Sequence, residues 1–111
     1  MNISSIQLND KLKKREKGEE NFLLLDVRNR TEQDICTIPG TDILIPVKEL
    51  NIELHKLNDW KDKEIVVYCK SGIRSKTAEG ILKENGFQKI THLNNGILEY
   101  IETVDSEMAW Y

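Results

Sequence analysis

Cysteine and histidine are scarce in this sequence, with two of each in 111 residues. Two cysteines do not make the disulfide framework of a small secreted domain. Cys36, Cys69, His55 and His92 show neither C-x-x-C nor H-x-x-x-H spacing, which argues against a zinc site. No metal and no cofactor is therefore expected. No apolar run approaches the roughly 20 residues of a membrane span, and the amino-terminal MNISSIQLND has no signal-peptide core. The expectation is a cytoplasmic protein without membrane contact. Positive charge is not in excess: 16 Lys and Arg face 19 Asp and Glu, a formal net charge of −3. A nucleic-acid footprint needs a basic face, so no nucleic-acid partner is expected. The mixed-sign stretch KLKKREKGEE reads as a solvated helix end. There is no repeat, low-complexity tract or internal linker, and the length suits one domain over residues 1–111.

What is present alternates. SSIQLNDKLKKREKG reads as a helix with Ser4 or Ser5 as cap, Leu8 and Leu12 on one face and Gly18 at its end. NFLLLDV is a continuous apolar run ending near Asp26, the pattern of a strand buried on both faces. NRTEQDI suits one or two helical turns, and IPGTDILIP a turn at Pro39-Gly40 followed by a short strand over Ile43–Ile45. VKELNIELHKL places Val47, Leu50, Leu54 and Leu57 at helical spacing, and Trp60 anchors the polar DWKDKE. IVVYC is a second buried strand. RSKTAEGILKENG follows as a helix closed by Gly86, then ITHL as a short strand, then NGILEYIETV with Ile97, Leu98, Ile101 and Val104 on one stripe. Strands alternating with helices predict an α/β domain with a mainly parallel central sheet and helices on both faces. In such sheets the ligand crevice lies beyond the carboxyl ends of the strands, where both Asp26 and Cys69 fall.

Cys69 is followed by Lys70, Ser71, Gly72, Ile73, Arg74 and Ser75, and then by the helical pattern. A nucleophilic cysteine needs its thiolate stabilised. The unpaired N–H groups and dipole of the helix start can do so. Gly72 lets the loop curl its amides inward as an anion nest, and Lys70 and Arg74 add charge. The same arrangement would hold an arriving sulfur-bearing anion and a persulfide on Cys69. A strand-end cysteine taken alone is often a small core residue; the loop around this one favours an anion site.

These residues closely resemble a known family. VVYCKSGIRSKTA is similar to the active-site loop of rhodanese-like sulfurtransferases. LLLDVRNRTEQDICTIPGTDILIP resembles that family's D-V-R … E … H-I-P-G-A … I-P segment, and GFQKITHLNNGILEY its closing G-F … V-x-x-L-x-G-G-x-x-x-W segment. The three motifs stand in family order across nearly the whole chain. Four residues separate Cys69 from Arg74, the spacing of members that transfer sulfur. Related phosphatases and arsenate reductases have five and commonly a His before the cysteine, where Tyr68 stands here. DICTIPGTDILIP and the tail ILEYIETVDSEMAWY further resemble the rhodanese domain at the C-terminal end of molybdopterin/thiamine adenylyltransferase-like sulfurtransferases; this sequence includes no adenylyltransferase segment, so the expectation is either a free-standing relative or an excised domain. The chain departs from the family at Thr37 (for His), at Asn95-Gly96 (for Gly-Gly) and at Tyr100 (for Trp); a changed turn or packing is expected there.

The resemblance implies a sulfurtransferase that carries sulfane sulfur as a persulfide on Cys69. The donor would be thiosulfate or a protein persulfide such as that of a cysteine desulfurase. The acceptor would be a thiol, cyanide or a ubiquitin-like sulfur-carrier protein. A redox-sensing binding module is the competing reading. Within the loop, the amides of Ser71, Gly72, Ile73 and Ser75 would cradle the sulfur. Arg74 would orient the donor or make a helix-start salt bridge, and Lys70 would steer anions at the mouth or stand in solvent. Asp26 and Arg28 match D-V-R and read as a structural ion pair under the loop. Cys36 reads as a packed core cysteine rather than a resolving thiol, and His55 and His92 as ordinary surface or core residues.

Overall fold

The computed structural model describes residues 1–111. Five strands, β1 (Asn2–Ile3), β2 (Leu23–Asp26), β3 (Ile43–Leu44), β4 (Glu64–Tyr68) and β5 (Lys89–Leu93), form one sheet in the order β1-β5-β4-β2-β3. Every pairing is parallel. The continuous apolar runs produce this result. A strand with no polar alternation has no face to give to water, and a parallel sheet covered on both sides accepts it. All four residues of β2 are buried, as are the last four of β4 and of β5.

The helices are α1 (Ser5–Glu16), α2 (Arg30–Ile35), α3 (Leu50–Glu53), α4 (Ile73–Glu84) and α5 (Gly96–Thr103). They cover both faces, and strand alternation divides the core accordingly. Leu23, Leu25, Ile65, Val67 and Cys69 pack with Leu50, Leu57, Ala78 and Leu82 on one face. Leu24, Val66, Tyr68 and Leu93 pack with Leu8, Leu12, Ile97 and Ile101 on the other. The expected α/β architecture with a parallel sheet is the one observed.

Two details differ from the sequence reading. The segment Val47–Trp60 is not one helix but a 3₁₀ turn (Val47–Glu49), the single turn α3 and a second 3₁₀ stretch (Leu54–Trp60). Its apolar residues advance in steps of three, four and three, and tighter winding brings the three-residue pairs onto one line. Strand β1 adds a fifth strand that the sequence did not suggest, because two residues carry no readable period. At the other boundaries the local chemistry holds. Ser4 caps α1 through its hydroxyl, which accepts from the Gln7 amide at 3.2 Å, while the Ser4 amide donates to Gln7 Oε1 at 2.8 Å. This reciprocal box satisfies two amides otherwise left without partners. No helix is long and apolar enough to cross a membrane.

Candidate active site

Strand β4 ends at Tyr68, and the next residue, Cys69, begins the turn into α4. The loop curls because Gly72 adopts φ +110°, a conformation side chains rarely tolerate. A Cβ at this position would also strike the carbonyl of Asn94. The curl brings amides onto the sulfur. Gly72 N donates to Cys69 Sγ at 3.1 Å and Ser75 N at 3.4 Å, and the thiol donates to Ser75 Oγ at 3.5 Å. Cys69 thus sits at the amino end of a 12-residue helix, where free amides and the helix dipole favour negative charge.

The loop is fixed from a second side. The amides of Ile97 and Leu98, in the first turn of α5, donate to the carbonyls of Cys69 (2.9 Å) and Lys70 (3.2 Å). Gly96 makes that approach feasible: its φ is +68°, and a Cβ there would collide with the Cys69 and Lys70 carbonyls. The Asn95-Gly96 departure therefore keeps the glycine at the position that needs one.

The predicted residues occupy different places around this loop. Gly72 and Ser75 contact the sulfur. The amides of Ser71 and Ile73, expected to join the cradle, make no hydrogen bond to the sulfur, because the curl at Gly72 turns only the Gly72 and Ser75 amides onto it; both side chains are exposed. Arg74 makes a two-pronged pair with Glu32, at 2.6 and 2.8 Å, rather than reaching over the sulfur. Lys70 does not extend into solvent; its ammonium lies 4.5 Å from the centre of the Tyr111 ring. Asp26 and Arg28 are fully buried and paired, with Arg28 Nε and Nη2 bonded to the carboxylate and the nearer contact at 2.8 Å. They lie against Tyr68, which packs on the face of the sheet opposite to Cys69. Burial opposes the charge on Arg28, but its bonds to Asp26 and Tyr111 more than offset this and hold its proton firmly. Cys36 is a buried free thiol in the core of that opposite face. His55 is exposed.

Three residues of this neighbourhood escaped the sequence reading. Glu32 accepts from four donors: Asn29 N, both Arg74 amino groups and the Tyr111 hydroxyl. The Arg74 bonds, aided by the other two, hold its carboxyl at about 2. The Asn29-x-x-Glu32 spacing, a helix-capping pattern, was the available signal. Tyr111 joins Glu32 to Arg28 (3.0 Å), and burial chiefly raises its phenol to about 12. Nothing in the sequence places residue 111 beside residue 28. His92, read as ordinary, lies on the Cys69 side of the sheet with Nδ1 2.8 Å from Ser75 Oγ. It is paired with Val67 in register, and strand alternation puts Val67 and Cys69 on one face.

The largest surface depression, about 680 Å³, lies at the amino ends of β4 and β5, lined by Lys63, Glu64 and Lys89 among others, and shares no residue with the Cys69 loop. Cys69 itself is 1% exposed. Chemistry and cavity size point to different places here. Converging donors define a site for a small anion, whereas the depression presents no comparable nucleophile, so the loop is the candidate site.

A parallel α/β sheet with a buried cysteine held by two amides at the start of a helix defines a class of domains with a thiol at a strand-to-helix turn. Comparison with known proteins specifies it. The family model described as a rhodanese-like domain matches residues 8–103, and the chain belongs to that family. It is 35% identical over 96 residues to a tRNA uridine(34) hydroxylase of Legionella pneumophila (strain Paris), covering 83% of this chain and 38% of that protein. A rhodanese-related protein of Thermoplasma volcanium superposes with a TM-score of 0.77 at 29% identity, covering 93% of this chain and 92% of the other. Reduced CoADR-RHD of Bacillus anthracis superposes with a TM-score of 0.79 at 26% identity, over 98% of this chain and 18% of that one. The chain spans 24% and 38% of the length of the first curated relatives it matches.

Proposed function

We propose that this domain is a sulfurtransferase that carries one sulfane sulfur atom on Cys69. The observation that supports it most is the convergence of the Gly72 and Ser75 amides on Cys69 Sγ at the amino end of α4. These donors are aimed where negative charge resides on a thiolate or on the sulfur of a persulfide, and they need not reorganise as it forms. The thiolate attacks the outer sulfur of thiosulfate; the S–S bond breaks and sulfite leaves with the electron pair. Cys69 then holds a persulfide anion. An acceptor, either cyanide or a thiolate, attacks the outer sulfur, and Cys69 leaves as thiolate. A protein persulfide, such as that of a cysteine desulfurase, serves as donor by the same exchange, and a ubiquitin-like sulfur carrier is a fitting acceptor. The closed loop suits this chemistry, because only one atom has to enter. The four-residue spacing between Cys69 and Arg74 resembles that of family members that transfer sulfur rather than that of the related phosphatases.

Incubation with thiosulfate should add one sulfur atom to the intact mass, and cyanide should remove it as thiocyanate. Cys69→Ser should abolish the adduct. An adduct that persists in this variant would move the site to Cys36 and overturn the assignment. A second reading follows from the 35% identity to the Legionella hydroxylase: that the domain contributes to modification of uridine 34 in tRNA. The absence of excess positive charge disfavours independent RNA binding. Modified uridine in tRNA incubated with this chain alone would favour the second reading.

A further inference from the structure

The first contact layer of Cys69 includes a hydroxyl, and that hydroxyl touches a histidine. Ser75 is fully buried and His92 is 4% exposed. Ser75 Oγ has three polar side-chain or backbone neighbours: Cys69 Sγ at 3.5 Å, the Gly72 carbonyl at 3.2 Å and His92 Nδ1 at 2.8 Å. A serine hydroxyl has one proton to give and two lone pairs. One arrangement makes use of every contact: while the thiol is protonated, the Ser75 proton goes to the Gly72 carbonyl, which can only accept. Both lone pairs then receive, one from the Cys69 thiol and one from His92. In that arrangement His92 Nδ1 carries a proton, and each of the three contacts has one hydrogen in it. The other tautomer would turn the Ser75 proton to Nδ1 and leave the Gly72 carbonyl with its bond from Lys76 N alone.

Ionisation of Cys69 changes the demand. The sulfur becomes an acceptor only. The Ser75 proton rotates from the Gly72 carbonyl to Sγ, and the Gly72 carbonyl keeps its bond from Lys76 N at 3.2 Å. The lone pair facing His92 remains filled by Nδ1–H, which leaves the hydroxyl no competing acceptor on that side. We propose that His92 is a positioning residue for the Cys69 nucleophile: by donating from Nδ1 to Ser75 Oγ, it commits the Ser75 hydroxyl to the sulfur whenever the sulfur carries charge. This inference rests on the sulfur-carrier reading for its purpose, but its geometry concerns the thiolate alone.

The surroundings keep the imidazole neutral. Burial lowers its proton affinity, as do Lys76 on α4 and the Met1 ammonium beside β1, while Glu79 on α4 opposes them. A neutral ring has one N–H, so the tautomer matters. The ring stands beside the loop: a Cβ added at Gly72 would lie 3.7 Å from His92 Cε1.

Three measurements on the intact chain test this. Nitrogen-15 NMR of the imidazole should show the proton on Nδ1; a neutral His92 protonated only on Nε2 would overturn the proposal. The rate of Cys69 alkylation by iodoacetamide, read by peptide mass to separate it from Cys36, should fall about tenfold at neutral pH in His92→Phe, the scale of one hydrogen bond to a charged group. Its pH profile should move to higher pH. His92→Asn can place an amide N–H where Nδ1 stands and should restore the rate to within about threefold of the parent, a small fraction of such a bond. In a Ser75→Ala background, His92→Phe should add nothing, since the histidine acts through that hydroxyl. An unchanged rate in His92→Phe, or an equal loss with and without Ser75, would overturn it. If His92→Phe fails to fold, the tautomer and the Asn variant decide. Alkylation needs no sulfur donor, so a wild-type protein that forms no persulfide would sink the sulfur-carrier reading and leave this one standing. An unaffected alkylation rate beside normal persulfide formation would do the reverse.

Discussion

Glu32 shows how much one side chain can organise. It contributes nothing to the sulfur directly, yet its carboxylate ties the start of α2, the Arg74 guanidinium of α4 and the Tyr111 hydroxyl together. The carboxyl is held at about 2 against an ordinary 4.5. A carboxylate depressed in the folded state stabilises the fold above its unfolded value and loses that contribution as the pH falls toward its folded value. Stability should therefore decline between about pH 4.5 and 2, and Glu32→Gln should remove that part of the slope. At neutral pH the same variant should lower stability by about 1–2 kcal/mol, since charged hydrogen bonds are strong but this pair is partly solvated. Urea titrations across this range measure both effects; a slope unchanged in Glu32→Gln would assign the acid sensitivity elsewhere. Removing Glu32 also frees Arg74, whose proton is held above its usual value mainly by this pair.

At the scale of elements, two glycines make opposite demands. Helix α5 docks its first amides on the Cys69 and Lys70 carbonyls, and Gly96 stands at the contact with φ +68°. Gly96→Ala has to shift the backbone of one partner. It should cost about 1–3 kcal/mol, the range for a side chain forced into a sparsely populated backbone region. It should also slow persulfide formation, because the loop loses its second anchor. Gly80 sits exposed inside α4 without a positive φ, and a methyl group added there would meet open space. Gly80→Ala should stabilise the protein by about 0.5–1 kcal/mol through helix propensity alone. Thermal melts of the two variants should thus move in opposite directions; a stabilising Gly96→Ala would show that the α5 contact is not tight.

Across the whole molecule, the segment around Tyr111 closes a circuit. Tyr111 donates to Glu32 Oε1 at 2.9 Å, accepts from Arg28 Nη1 at 3.0 Å and offers its ring to the Lys70 ammonium. Positions 28, 32, 70 and 111 thereby form one cluster, which joins the two motif segments to the tail. Tyr111→Phe keeps the ring and loses both hydroxyl bonds. It should lower stability by about 1 kcal/mol, the net value of an ordinary hydrogen bond with some cost for the unpaired Arg28 amino group. Chemical denaturation detects a change of that size. No change would mean that water replaces the hydroxyl and the tail is not held.

The sequence by itself determined the parallel α/β fold and the Cys69 nest. Both depend on local patterns: unbroken apolar runs in NFLLLDV and IVVYC, and a glycine with adjacent hydroxyls between a strand and a helix. Short-range chemistry of this kind is written in consecutive residues. Tertiary structure alone decided the partners. Arg74 faces Glu32 across 42 positions, His92 reaches Ser75 across 17, and Tyr111 meets Arg28 across 83. No spacing in the chain encodes those contacts, because they follow from which strands become neighbours in the sheet and which face each side chain takes. His92 illustrates the boundary most clearly. Its alternation along ITHL was legible, but only the pairing of β5 with β4 sets that face beside the helix that carries Ser75.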